Sequence, residues 1–224
     1  MSRSYDRKIL SLMTSALSSI ASGSNASVNL DDVSGLYHQQ YQWDSVSESA
    51  LKAWKHISGV LVRRFPKRYW IDVGCGGGGL VWHLRQQGCH AWGIEGSRYA
   101  LGLLPVPIML WDLRLPIRQV PTAAVVTCFD VAEHVGNAEA IVYTCASLAR
   151  DTLIFGAAPP GQDGLGHIDL RPAEDWTAMF AQHGLTYCPQ ETEIVKHEIA
   201  ANTDHNHLWW VEKNLHVYQR TGVV

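Results

Sequence analysis

The sequence predicts an α/β fold: a doubly wound, seven-stranded, mostly parallel sheet with an antiparallel last strand, preceded by N-terminal helices. Three observations carry that expectation. From Tyr69 onward, apolar runs of strand length alternate with segments of helical character, the order that builds a parallel sheet covered on both faces. The first run, YWIDV at 69–73, passes straight into Gly74, Gly76, Gly77, Gly78 and Gly79, a strand-to-helix turn almost without side chains. Acids then stand at the ends of three successive strands, as Asp72, Glu95 and Asp112.

Composition sets the limits. A chain of 224 residues is long enough to bury a full core without disulfides. Its five cysteines (75, 89, 128, 145 and 188) are odd in number and lack Cys-x-x-Cys spacing. That pattern predicts reduced thiols in a cytoplasmic protein and no zinc knuckle. The formal charge of −3 offers no general attraction to nucleic acid or an anionic membrane. Nine tryptophans can furnish both core and an aromatic pocket. The start, MSRSYDRKILSLMTSALSSIASG, superficially resembles a secretory signal. However, Ile9, Leu12, Met13, Ala16 and Ile20 recur at helical spacing with serines between them, which reads as an amphipathic helix. No stretch approaches the length of a membrane span, so no membrane partner is expected.

Taken in order, residues 1–68 read as a helical N-terminal region and 69–224 as the cofactor-binding domain. Gly23 to Asn29 is a polar break. Ser45 and Glu48 have the spacing of a capping box, and Leu51, Trp54, Ile57 and Leu61 continue one helical face to about Arg64. The cations Arg63, Arg64, Lys67 and Arg68 then suit a helix C-terminus better than a phosphate. After the strand at 69–73, Leu80 to Gln87 reads as a helix stopped by Gly88, and Ala91 to Ile94 as a strand ending in Glu95. A short helix from Arg98 to Leu104 leads to a third strand, Pro107 to Leu110. The fourth is Ala124 to Phe129, followed by a helix over 137–149, and the fifth is Leu153 to Ala157. Pro172 opens a helix that ends before Gly184. Leu185 to Cys188 and Leu215 to Gln219 are the last strands, and the long connection between them should carry a helix.

The glycine turn is where chemistry enters. Without side chains, a ligand can approach the backbone closely, and a carboxylate at the end of the next strand is placed to accept from ribose hydroxyls. Glu95 is that carboxylate, so an adenosine-containing cofactor is expected. The spacing Gly74-x-Gly76-x-x-Gly79 also satisfies the dinucleotide fingerprint and leaves a nicotinamide oxidoreductase open. Asp72, two residues before the first glycine, tilts the choice. With it the pattern resembles the first motif of the Rossmann-like S-adenosylmethionine methyltransferases, in which that acid helps hold the cationic methionine end of the cofactor.

This resemblance, over about residues 69 to 184, implies S-adenosylmethionine held by Asp72, Gly74, Cys75, Gly76 and Glu95. Asp112 would accept from the adenine amino group, flanked by Trp111 and Leu113. It also implies that the aromatic stretch Tyr37, Tyr41 and Trp43 covers the pocket. The end of the fourth strand, with Asp130, Glu133 and His134, looks like the ubiquinone-biosynthesis O-methyltransferases. The small-RNA 3′-terminal 2′-O-methyltransferases share that pattern and add a later histidine, matched here by His167. The implied roles are a divalent-metal set of Asp130, Glu133, His134 and His167, with Mg²⁺ as one candidate ion, and catalysis by Glu133, His134 and His167. Asp130 stands where those families usually carry Glu, and it also borders the cofactor. Without metal, His134 or His167 would serve as general base. The expected acceptor is an oxygen of a small molecule or of a nucleic-acid terminus. A non-catalytic, cofactor-binding member of the fold is the remaining alternative. His205 and His207 have His-x-His spacing and read as a solvated loop.

Overall fold

The structure is a computed structural model that describes residues 44–201 and 208–221. The expected helix around Ile9 to Ile20, the break after it, the stretch Tyr37 to Trp43, and His205 and His207 lie outside the described residues.

The described chain begins with helix α1 (Glu48–Arg64) and then alternates as expected. Strand β1 (Tyr69–Val73) leads to α2 (Gly79–Gln86), β2 (His90–Glu95), β3 (Ile108–Leu110) and β4 (Ala123–Phe129). The short helix α3 (Ala132–Val135), α4 (Ala138–Leu148), β5 (Ala149–Gly156) and α5 (Ala173–Gln182) follow. The chain then forms β6 (Leu185–Tyr187), α6 (Pro189–Ala200), α7 (Trp209–Asn214) and β7 (Leu215–Arg220). The seven strands make one sheet in the order β3-β2-β1-β4-β5-β7-β6. Pairings from β3 through β5 are parallel, and β7 runs antiparallel to both β5 and β6.

Strand order reverses between β1 and β4, which opens a crevice beyond their carboxyl ends. Both faces of the sheet are buried, so its strands are almost wholly apolar. Ile71, Val73, Val126 and Cys128 feed one core cluster with α4 and α5. Trp70, Val125 and Phe129 feed the other, with α1 and α2. This is the period-two alternation of a strand. Against the second face α1 buries Ala53, Ile57, Val60 and Leu61, and Arg64 pairs with Glu191 of α6 through contacts of 2.7 and 3.0 Å.

Local chemistry displaced four expectations. The region Arg98 to Leu104 is a single 3₁₀ turn, Arg98–Ala100, because Gly102 takes a left-handed φ of 81° and Pro105 follows. Ser47, not Ser45, caps α1, its hydroxyl accepting from the Ala50 amide at 3.3 Å. Ser45 is drawn away to the glycine turn. Strand β5 begins at Ala149, earlier than Leu153, because it pairs with the full length of β4. The one-turn helix α3 was not anticipated, being shorter than any periodicity can reveal. The connection between β6 and β7 does carry helical structure, as α6 and α7. Among the described residues no helix is long and apolar enough to cross a membrane.

Candidate active site

At the switch point a cavity of about 210 Å³ opens between the ends of β1, β2 and β4, the residues ahead of α1, and α7. The glycine turn forms its floor. Gly74 adopts φ 73°, and a Cβ there would lie 2.1 Å from a Val131 methyl, so the chain can pass only without a side chain. Gly77 and Gly79 answer to a different neighbour: a Cβ on them would meet Val46 at 2.4 Å and the Trp54 indole at 2.5 Å. Part of the glycine run therefore seats α1 against the turn, a role separate from ligand approach.

The donors of this turn decide what it can bind. Gly74 and Cys75 both donate to the Ile94 carbonyl, at 2.7 and 3.1 Å. Gly76 donates to Glu95 Oε2 at 2.8 Å, Gly77 to Ser45 Oγ at 3.1 Å, and Gly78 to the Cys75 carbonyl at 3.0 Å. Phosphate-binding turns work by aiming such N–H groups at the anion. Here each N–H from Gly74 to Gly78 is already engaged by the protein, one of them by a carboxylate.

The remaining charge on this side is anionic. Asp72, at the end of β1, is buried, and its Oδ1 accepts from the Thr127 hydroxyl at 2.6 Å. Burial pushes its pKa up to about 7, against that hydrogen bond and with added repulsion from Glu95. Burial also raises Glu95, while the amides of Ser97 and Gly76 oppose the rise. Asp112 reaches the cavity already gripped by Arg114, whose guanidinium and backbone amide engage its two oxygens at 2.9 to 3.1 Å.

Across the crevice, β4 ends in a tight bend at Asp130, whose left-handed φ of 53° is rare for a residue with a side chain. Burial and the neighbouring Glu133 push the Asp130 carboxyl well above the usual range. Glu133, fully buried on α3, accepts from the Ala158 amide at 2.9 Å through Oε1, while its Oε2 has no hydrogen-bond partner among the described residues. A buried carboxylate oxygen without a donor costs free energy unless a ligand meets it. His134 and His167 supply the neighbours. One potential ligand atom from each of Glu133, His134 and His167 lies within 4.8 Å of the others. His134 Nδ1 pairs with the Gly166 carbonyl at 3.0 Å and His167 Nδ1 with the Gln162 carbonyl at 2.8 Å. With Nδ1–H so committed, each ring carries its lone pair on Nε2, the arrangement that backbone carbonyls impose on metal-binding histidines. The donor set, one carboxylate and two imidazoles, fits a divalent transition metal. Burial and the charge of His167 lower the His134 pKa to about 4, so its imidazole is neutral and suited to ligation.

Comparison with known proteins settles the family. A family model described as a methyltransferase domain matches residues 47–191, more than half of the chain. The chain belongs to that methyltransferase family. The ubiquinone biosynthesis O-methyltransferase of Azoarcus sp. is 34% identical over 90 residues, covering 36% of this chain and 39% of that protein. The Stutzerimonas stutzeri enzyme of the same name is 28% identical over 137 residues, 56% of each. The chain thus spans about half the length, or less, of these curated relatives. Two solved structures show the fold. The amino pentose methyltransferase CalS10 from Micromonospora echinaspora, with S-adenosylmethionine bound, gives a TM-score of 0.55 at 15% identity, covering 88% of this chain and 99% of that one. The plantazolicin methyltransferase BpumL gives 0.54 at 13%, covering 96% and 98%.

This methyltransferase domain gathers most of the residues singled out from sequence. Asp72, Gly74, Cys75, Gly76 and Glu95 line one side of the cavity, with Asp112 and Leu113 beyond them. Asp130 and His134 line the other. Glu133 and His167 cluster with His134 but are not among the residues lining the cavity. Two of the expected residues lie apart from one of these groups. Trp111 is not among the cavity residues: its indole N–H donates to the Leu115 carbonyl at 3.0 Å and its ring packs on the core beneath. Asp130 is not among the three clustered potential ligands, although its carboxyl interacts with that of Glu133. Sequence reasoning missed Ser45, Thr127 and Arg114. Thr127 did carry a signal, as a polar residue within an otherwise apolar strand.

Proposed function

We propose that the protein is an S-adenosylmethionine-dependent O-methyltransferase acting on a small, uncharged acceptor with the help of a divalent metal. The engaged donors of the glycine turn carry the choice of cofactor. A nicotinamide dinucleotide would bring a diphosphate to N–H groups that have no hydrogen bond left to give, with the Glu95 carboxylate against it. S-adenosylmethionine has no phosphate, and its ammonium and ribose hydroxyls match Asp72 and Glu95. Asp112 is left to the adenine edge, held there by Arg114.

The acceptor side of the cavity is apolar, formed by Trp54, Phe129, Leu208, Trp210 and Val211. Across the cavity as a whole the lining acids are Asp44, Asp72, Glu95, Asp112 and Asp130, and its one guanidinium, Arg114, is already paired with Asp112. Such a lining offers a phosphate no unpaired cation, which favours a small molecule over a nucleic-acid terminus. The apolar walls exclude water and hold the acceptor oxygen in line with the sulfonium methyl. His134 with its pKa near 4 is a poor proton acceptor at neutral pH. Glu133, His134 and His167 therefore serve better as ligands. A divalent ion held there would lower the pKa of an acceptor hydroxyl. Five unpaired cysteines accord with a cytoplasmic setting.

Calorimetric titration with S-adenosylhomocysteine and with NAD tests the cofactor. The product analogue should bind and NAD should not, and the reverse result defeats the proposal. Turnover should stop in chelator and return with added divalent ion. Full activity in chelator removes the metal from the proposal and leaves methyl transfer standing.

A further inference from the structure

We infer that Thr127 is a positioning residue for the methyl donor, its hydroxyl fixing the Asp72 carboxylate in the orientation that faces the cofactor cavity. The inference rests on the proposed role of Asp72 as anchor for the cationic end of S-adenosylmethionine.

Thr127 is the one polar side chain in β4, Ala-Ala-Val-Val-Thr-Cys-Phe, and it is fully buried. The sheet places it opposite Asp72 on β1. Its hydroxyl lies 2.6 Å from Asp72 Oδ1 and 3.4 Å from the Ile71 carbonyl. A hydroxyl has one proton to donate, and the shorter contact to an ionised acceptor takes it. Valine would fill the same space in a strand with better β-propensity and no buried hydroxyl to satisfy. The hydroxyl is therefore explained by Asp72 rather than by packing.

The other ionisable groups that act on Asp72 do not help it to ionise. Glu95 on β2 repels its charge. Cys75 in the turn and Cys128 on β4 are thiols that burial and neighbouring acids hold protonated. Thr127 is the group that opposes burial, so its loss moves Asp72 toward the neutral acid, which no longer attracts an ammonium.

The test compares S-adenosylhomocysteine affinity of wild type, Thr127→Val, Thr127→Ala and Thr127→Ser by calorimetry between about pH 6 and pH 8.5. Losing a hydrogen bond to a charged group should weaken binding by about 10-fold in the Val and Ala variants at pH 7. The pH below which affinity falls should also move upward in both. The Ser variant, which keeps the hydroxyl, should restore both quantities, and KM for the cofactor should change more than kcat. Wild-type affinity and pH profile in the Val variant would overturn the inference, as would a Ser variant as weak as Val. If the Val variant does not fold, the Ala and Ser pair decides on the same terms. Failure of the wild-type protein to bind S-adenosylhomocysteine would instead refute the cofactor assignment beneath it.

Discussion

Around Gly76, successive backbone N–H groups all donate to protein acceptors, and the carboxylates beside them accept from Ser97, Thr127 and Arg114. Around Glu133, on the other side of the crevice, one oxygen of a fully buried carboxylate has no hydrogen-bond partner among the described residues, and the Nδ1 atoms of two neighbouring imidazoles are committed to backbone carbonyls. The first region is internally complete before any ligand arrives, and the second is not. A complete region selects by shape and fixed charge, which suits one invariant cofactor. An incomplete one carries a desolvation cost that a ligand meeting that oxygen would relieve.

Four experiments probe this contrast, from the largest expected effect to the smallest. Asp72 is buried with a pKa raised from 3.8 to about 7, so folding favours its protonated form. Its contribution is fully present below about pH 4 and is lost as pH rises through 7. Relative to Asp72→Asn, the wild-type protein without cofactor should lose on the order of 4 kcal/mol across that window. Urea denaturation at the two ends measures it, and protonation of His134, common to both proteins, cancels in the difference. A flat difference would mean that Asp72 is not held as described. Gly74→Ala must place a Cβ against Val131 at a left-handed φ and should cost about 3 kcal/mol, read as a fall in thermal midpoint. Glu133→Gln should weaken divalent-ion affinity by about 100-fold and stop turnover, leaving S-adenosylhomocysteine affinity intact. Equal loss of cofactor binding would show that the two regions are one. Trp111→Phe should change cofactor affinity less than about twofold, since its indole bonds Leu115 outside the cavity.

Much of the cofactor side was legible in the residues. The strand at 69–73, the glycine turn and Glu95 at the next strand end fall within one short window, where periodicity and turn chemistry are reliable guides. The helix expected after Arg98 failed because Gly102 and Pro105 outweighed its apolar spacing. Ser45 was misread as a cap because Ser47 offers the same chemistry two residues on, and only packing against Gly77 separates them. Trp111 is not among the cavity residues although its neighbour Asp112 is, since neighbours along an extended segment point to opposite sides. His167 was found by resemblance, and the loop geometry at Gln162 and Gly166 is what brings it to Glu133.

By itself, the sequence determined the alternation of strands and helices, the side-chain-free turn and the row of acids at strand ends, because each is written in residues close together along the chain. Only the tertiary structure decided that the turn's N–H groups are engaged, that Thr127 reaches Asp72, and that one Glu133 oxygen has no hydrogen-bond partner among the described residues. Those facts depend on strand register and on the burial of distant elements against one another. Register is set by the whole sheet hiding its apolar faces, and no local pattern contains it.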